Sequence, residues 1–248
     1  MPYLDHKFEV NSCDMDVWGF FKPISILHVC QDVAYMHSSK HGFGFDELIK
    51  LGAAWVLSRV KVEAERLPAW REKIRVRTWH KGQVGIFSLR DYIFYDEQDH
   101  PIIRVTTSWL IINIATRRIM RADRVFASDE PFKLITYQEN AIETEAERVE
   151  LPESKITCAE HKVVYSDLDV NHHVNNAKYL EWSCDQSPQQ MQKGRHLSSF
   201  CLNFNHEAKF GEKVSICQST PSEDEILFEG DVNGRNIFTA RLYYSSKS

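Results

Sequence analysis

The 248-residue chain lacks the features that mark most specialised protein classes. Its six cysteines (Cys13, Cys30, Cys158, Cys184, Cys201 and Cys217) contain no CxxC pair, so neither a zinc ribbon nor a thioredoxin-type redox motif is encoded. Scattered thiols of this kind suit a reducing, cytoplasmic setting. A basic excess is missing too: 30 Lys and Arg stand against 35 Asp and Glu, a formal net charge of −5. Such a field does not draw nucleic acid or an anionic membrane. The strongest apolar stretch, Trp109 to Ala115, is far too short to cross a bilayer, and Met1 to Val10 holds no apolar leader core. A soluble, unprocessed protein is expected, with no nucleic-acid or membrane partner, no metal and no cofactor. With 43% hydrophobic and 26% charged residues, the composition is that of a globular protein with one large core or two small ones.

What the chain does contain is a copy of itself. Displaced by 153 positions, Phe8–Val17 falls on His161–Val170, so that Asp14, Asp16 and Val17 meet Asp167, Asp169 and Val170. The match continues without a gap to Leu27 on Leu180 and Asp32 on Asp185. A second displacement, by 140, lays Ser58 on Ser198 and Arg71–Val76 on Gly211–Ile216. The change of register shortens whatever follows the first helix.

Each half repeats one order of elements. In the first, a strand-like stretch at Lys7–Asn11 leads to Pro23, a favourable first-turn residue. Ile24–His41 carries apolar residues at helical spacing (Ile26, Leu27, Cys30, Val33, Ala34), and Gly42 and Gly44 stop it. Strands follow at Trp55–Glu65, Lys73–Trp79, Phe87–Tyr95 and Ile102–Asn113. The second half predicts a helix over Asn175–Gln186, then strands at Ser198–Phe210, Lys213–Thr220, Ile226–Val232 and Asn236–Ser245, with Asn233-Gly234 as a tight hairpin. Residues 128–156, acidic and with Pro131 and Pro152, read as a linker with a short helix. One helix and four or five antiparallel strands, made twice, bury the helical stripe by wrapping the sheet around it. The expected class is α+β, a double hot-dog, with units at 1–127 and 157–248. Two unrelated α+β domains would leave the repeat unexplained.

The halves differ where chemistry would sit. The second reads SDLDVNHHVNN, with Asp169, Asn171 and His173 at alternate positions before a helix start. The first has Asp16, Trp18 and Phe20 there, and Leu67 stands opposite Glu207. Acids, an amide and an imidazole therefore gather in the second half, which reads as catalytic, while the first presents apolar groups. Structural roles stay open for each residue alone: Asn175 or Asn176 as a helix cap, His173 as an ordinary hydrogen-bonded histidine, Glu207 as a solvated strand-end acid.

SDLDVNHHVNNAKYLEW resembles the signature of acyl-acyl carrier protein (acyl-ACP) thioesterases, which end fatty-acid synthesis by releasing the chain from its carrier. The first half resembles them in LPAW (Leu67–Trp70), Thr78-Trp79, RDY (Arg90–Tyr92), TSW (Thr107–Trp109) and NxxTRR ending at Arg118. Plant members carry a transit peptide and this chain starts near its first strand, so it resembles a bacterial member. The resemblance implies a double hot-dog and places Asp169, Asn171 and His173 on a DxNxH motif and Glu207 on the acid of a Glu-Cys pair. The cysteine of that pair is Ala208 here, and Cys201 is six residues ahead of Glu207, so a thiol nucleophile is not expected.

Under this resemblance Glu207 serves as general base on water or as a direct nucleophile, His173 orients the thioester and shares the proton, Asp169 fixes the His173 tautomer, and Asn171 adds a donor or holds water. Amides at the following helix start suit the oxyanion. The acyl tail is assigned to the first unit, with Val29, Val33, Met36 and Trp55 as wall candidates. Docking of an acidic carrier needs local positive charge, with Arg117, Arg118, Arg121, Lys193 and Arg195 as candidates. An acyl-CoA thioesterase, a hot-dog hydratase or dehydratase acting at the β-carbon, and a non-catalytic acyl-thioester binder are the alternatives. Monomer and homodimer both stay open.

Overall fold

The computed structural model describes residues 1–126, 136–188 and 192–246. Two compact units divide the chain, Met1–Glu145 and Ala146–Ser248. Unit 1 runs β1 (Tyr3–Glu9), α1 (Pro23–Lys40), α2 (Phe45–Lys50), β2 (Ala53–Ala64), β3 (Lys73–Val84), β4 (Phe87–Tyr95), β5 (Pro101–Asn113), β6 (Ile119–Met120) and α3 (Ala122–Val125). Unit 2 runs β7 (Ile156–Lys162), α4 (Asn176–Asp185), β8 (Arg195–Phe204), β9 (Lys213–Ser219), β10 (Glu225–Val232) and β11 (Arg235–Ser246).

The sheets repeat one topology. Within unit 1 the strand order is β1-β3-β4-β5-β2, with β6 added beside β5, and within unit 2 it is β7-β9-β10-β11-β8. Within each unit the described strands pair antiparallel, and the register repeats as well: Lys7 faces Arg75 as Glu160 faces Ser215. Both displacements in the sequence are therefore visible in a single ladder. α1 starts on Pro23 and buries Ile26, Leu27, Cys30, Val33 and Ala34 along one stripe. It ends where Gly42 takes φ +80°, a left-handed stop that glycine adopts without strain. Each fully buried aliphatic side chain in such a stripe contributes about 1.5–3 kcal/mol. Asn233 (φ +53°) and Gly234 (φ +82°) make the expected two-residue turn between β10 and β11.

Several boundaries differ from the sequence expectation, each for a local reason. β1 lies earlier, at Tyr3–Glu9, because Val10 already turns its N–H to the Glu72 carbonyl. β8 stops at Phe204 rather than Phe210, since the N–H groups of Asn205 and His206 both turn to the Ile237 carbonyl, at 2.8 and 3.1 Å. α2, β6 and α3 were not anticipated: α2 follows the glycine stops and buries Leu48 against Phe43, Ala53, Ile111 and Ala122. Of the expected linker, residues 128–135 lie outside the described residues. Within residues 136–155 the chain forms no helix. Instead it packs: Ala141 N–H donates to Asp91 Oδ2 at 2.8 Å in unit 1, and Val149 N–H donates to Asn203 Oδ1 at 2.7 Å in unit 2. No helix among the described residues is long and apolar enough to cross a membrane.

Unit 1 is less oily than its sequence suggested. Arg90, 6% exposed, donates through Nη1 to Thr78 Oγ1 and to His37 Nδ1, both at 3.1 Å. His80 is also buried, with Nε2 2.9 Å from Ser88 Oγ. A guanidinium cannot discharge itself by losing a proton, so it and its neutral partners must be buried as a hydrogen-bonded set. Burial, with Arg90 nearby, holds the imidazole of His37 down at about 2 and that of His80 at about 3.

Both histidines are neutral in the fold and protonate near their ordinary pKa of about 6.5 once unfolded, so stability is full above that pH and declines as pH falls toward the folded values. Each contributes a slope of about 1.4 kcal/mol per pH unit in that window. Urea unfolding at pH 7, 6 and 5 is expected to show this loss, and His37→Gln with His80→Gln is expected to flatten it. An unchanged slope in the double variant counts against these two groups as its source.

Candidate active site

Two loops of unit 2 build the site. The first, between β7 and α4, is shaped by carboxylates acting on main chain. Asp167, buried, accepts the Val164 N–H at 2.8 Å and has His161 Nε2 at 2.9 Å on the same oxygen. Asp169 Oδ1 accepts the Asn171 N–H at 2.8 Å, closing a turn that an Asx side chain favours. The Asp169 N–H returns to the His173 carbonyl at 2.9 Å, and His172 takes φ +61° at the reversal. Asn175 caps α4, its Oδ1 accepting the Ala177 N–H at 2.9 Å.

The second loop follows β8. Val174 N–H donates to the Ala208 carbonyl at 3.2 Å, and the Ala208 N–H donates to the Tyr179 hydroxyl at 3.3 Å. Tyr179 is buried on α4, where burial pushes its phenol upward and keeps it neutral. These bonds bring His173 Nε2 to 3.2 Å from Glu207 Oε2, with the two side chains 27% and 33% exposed.

Unit 1 carries the same backbone with other side chains. Asp16 Oδ1 accepts the Trp18 and Phe20 N–H groups, both at 2.9 Å, and Phe21 N–H donates to the Pro68 carbonyl at 2.9 Å, as Val174 does to Ala208. Gly19 takes φ +80° where His172 has φ +61°, and Arg71 takes φ +65° where Gly211 has φ +82°. Phe20 and buried Leu67 thus occupy the positions of His173 and Glu207.

Of the four residues singled out in the sequence, His173 and Glu207 meet side chain to side chain. Asp169 does something other than expected: its carboxylate holds the Asn171 main chain, and the acid on the His173 ring is Glu207. Asn171 is exposed, in the same turn as Asp169 and His173. Ala208 is fully buried, and Cys201 donates its thiol to the Glu147 carbonyl at 3.4 Å in a cluster with Ala146, Val149 and Leu227. His161 was missed, although the displacement by 153 sets it opposite Phe8, one more aromatic-to-histidine exchange.

The wall candidates do not share one environment. Val33 is core, Val29 is half-buried, and Met36 is 42% exposed. Trp55 packs against the Phe43, Leu48 and Ile111 cluster with its indole N–H on the Phe43 carbonyl at 2.9 Å. Among the docking candidates Arg117, Arg118 and Lys193 are exposed, and Arg121 lies 3.2 Å from Asp123. Arg195 is not available as expected, because its largely buried guanidinium is held by Glu223, Asp224 and the Tyr244 carbonyl. Among the described residues no cluster of His, Cys, Asp and Glu is arranged to hold a metal ion.

Comparison with known proteins follows the same division. Residues 3–127 match the family model of the acyl-ACP thioesterase N-terminal domain, and residues 151–243 match that of the C-terminal domain. The oleoyl-acyl carrier protein thioesterase 2 of Arabidopsis thaliana is 26% identical over 235 residues, 89% of this chain and 64% of that relative. The palmitoyl-acyl carrier protein thioesterase of Gossypium hirsutum is 29% identical over 219 residues, 84% of this chain and 52% of that relative. The chain therefore spans less than two thirds of the length of these curated relatives. Among solved structures, an acyl-ACP thioesterase from Bacteroides thetaiotaomicron superposes with a TM-score of 0.88 at 24% identity, covering 98% of each chain. The 12:0-ACP thioesterase of Umbellularia californica gives 0.87 at 22% identity, covering 100% of this chain and 98% of that one. These likenesses show the fold, a double hot-dog.

The Asn175 cap can be tested directly. Asn175→Ala is expected to lower the unfolding free energy by about 1 kcal/mol, while Asn175→Asp, which keeps the acceptor, stays within a few tenths. Equal losses in the two variants in a denaturant titration would remove the cap from the account of how the loop is held.

Proposed function

This chain belongs to the acyl-ACP thioesterase family, and from that premise we propose that it hydrolyses the thioester of fatty acyl-ACP, releasing free fatty acid and holo-ACP. The observation that carries the reading is the His173 Nε2–Glu207 Oε2 contact of 3.2 Å, present in one copy of a duplicated loop pair and replaced by Phe20 and Leu67 in the other. An acid held on one nitrogen of an imidazole fixes its tautomer and frees the other nitrogen to work as a base.

In this scheme His173, paired with Glu207, takes a proton from water as the oxygen adds to the thioester carbonyl carbon. The oxyanion is met by the Asn171 side-chain amide and by the N–H of Asn176 at the start of α4, since the Ala177 N–H goes to Asn175 Oδ1 and the Lys178 N–H to the Asn175 carbonyl. Collapse breaks the carbon–sulfur bond, and the departing thiolate, whose conjugate acid has a pKa of about 8.5, takes the proton back from the pair. No cysteine is needed: position 208 is a buried alanine and Cys201 is engaged elsewhere. Asp169 contributes by shaping the turn that presents Asn171 and His173.

Unit 1 is assigned the acyl chain, with Val29 and Met36 along α1 as contacts, and the exposed Arg117, Arg118 and Lys193 are assigned to an acidic carrier. All six cysteines are free thiols, which suits a reducing cytoplasm.

The test is thiol release from acyl-ACP and acyl-CoA of matched chain length. Wild type is expected to prefer the carrier-bound substrate. His173→Ala and Glu207→Ala are each expected to lower kcat/KM by about 10²-fold or more, as removal of a general base does. Cys201→Ala is expected to stay near wild type. Activity lost only in Cys201→Ala, or a saturated acyl-ACP left intact by wild type, would overturn the reading.

A further inference from the structure

Glu207 lies in a turn without regular secondary structure, yet its carboxylate has to stay on the His173 ring. We propose that Arg235 is a positioning residue for Glu207, a role that rests on the thioesterase reading. Arg235 opens β11 directly after the Asn233-Gly234 turn. Its Nη1 donates to the main-chain carbonyl of Glu207 at 3.0 Å, and its Nη2 donates to Glu212 Oε1 at 3.0 Å. The other oxygen of Glu212 accepts the Lys209 N–H at 2.8 Å.

One planar guanidinium thus ties both ends of the 207–212 turn. A fork of fixed geometry does this, whereas a lysine ammonium offers only a point charge. Together with the Ala208 bonds to Val174 and Tyr179, the main chain around Glu207 is held from three directions. The direction of the Glu207 Cα–Cβ bond is then set, and the carboxylate reaches His173 through its own side-chain torsions.

The matching turn of unit 1 shows what is particular to unit 2. There Glu72 holds the Ala69 N–H at 2.9 Å, as Glu212 holds Lys209, but its arginine is Arg66, at 3.0 Å and from the same segment. His206 stands at the position of Arg66 in unit 2. The arginine has in effect moved to the facing hairpin, from which it also grips the carbonyl of the residue that bears the acid. Leu67, the counterpart of Glu207, has no carboxylate to aim.

A shift of about 1 Å in a reacting group can cost about 10²-fold in rate, so a partial loosening is expected to cost roughly tenfold. Arg235→Met is expected to lower kcat on acyl-ACP roughly tenfold with KM unchanged. Glu212→Gln, which leaves the Glu207 bond in place, is expected to lose less, and Arg235→Ala is expected to regain activity with added guanidinium. In a Glu207→Gln background Arg235→Met is expected to cost less than about twofold, because an effect exerted through Glu207 has nothing left to act on.

Melting curves separate misfolding from misplacement, and Glu212→Gln carries the comparison if Arg235→Met does not fold. Normal kcat in Arg235→Met, or an equal loss in both backgrounds, overturns the proposal while leaving the thioesterase reading intact. An inactive wild type overturns that reading instead. In that case amide exchange at Ala208 and Lys209 decides on Arg235, with unchanged rates in Arg235→Met as the contrary result.

Discussion

The N–H of Val174 donates to the carbonyl of Ala208, and the candidate site hangs from that bond. It joins a turn folded by Asp169 to a turn folded by Glu212, and it uses only main-chain atoms. The same bond, from Phe21 to Pro68, joins the matching turns of unit 1. Because the backbone is held without the side chains at 171, 173 and 207, those positions could diverge without cost to the fold. One copy became polar there and the other apolar, over frames that share their carboxylate-to-main-chain bonds and their left-handed reversals. Separation of scaffold from chemistry is a general feature of folds whose function sits on loops.

That freedom did not extend to the interior of unit 1. Arg90 brings a guanidinium into a core with hydrogen bonds to His37 and Thr78 and, among the described residues, no carboxylate partner. Removing a charge from water costs several kcal/mol even after relaxation, so the surrounding hydroxyls and neutral imidazoles are a requirement and not an ornament. Unit 1 therefore pairs an apolar loop surface with a polar layer between α1 and β3–β4, and it is not the uniformly oily receptacle that Trp18, Phe20 and Leu67 suggest.

Much of this was legible in the chain. Alternation and helical spacing located α1, α4 and the long strands because those periods follow from burying one face. Two displacements, 153 and 140, equate the β1–β3 ladder with β7–β9 and set Phe20 against His173 and Leu67 against Glu207. What could not be read was any contact that crosses elements. Glu207 and His173 are 34 positions apart, and no spacing rule says that the acid on the ring is Glu207 and not Asp169, four residues away. Asp169 serves the main chain because a short side chain at a turn reaches its own neighbours first. The end of β8 was misjudged for a related reason: the Ile237 carbonyl that captures Asn205 and His206 belongs to a different strand.

The sequence by itself determined the duplicated α+β units, the positions of α1 and α4, the hairpin at Asn233-Gly234 and the half in which reactive groups collect, since each depends on local period, local turn chemistry or comparison of one half with the other. Only the tertiary structure decided which acid meets His173, that Arg195 is engaged with acidic neighbours and that Arg235 reaches the Glu207 carbonyl. Those are matters of distance between elements remote in sequence, and a distance of about 3 Å is set by packing and register, not by composition.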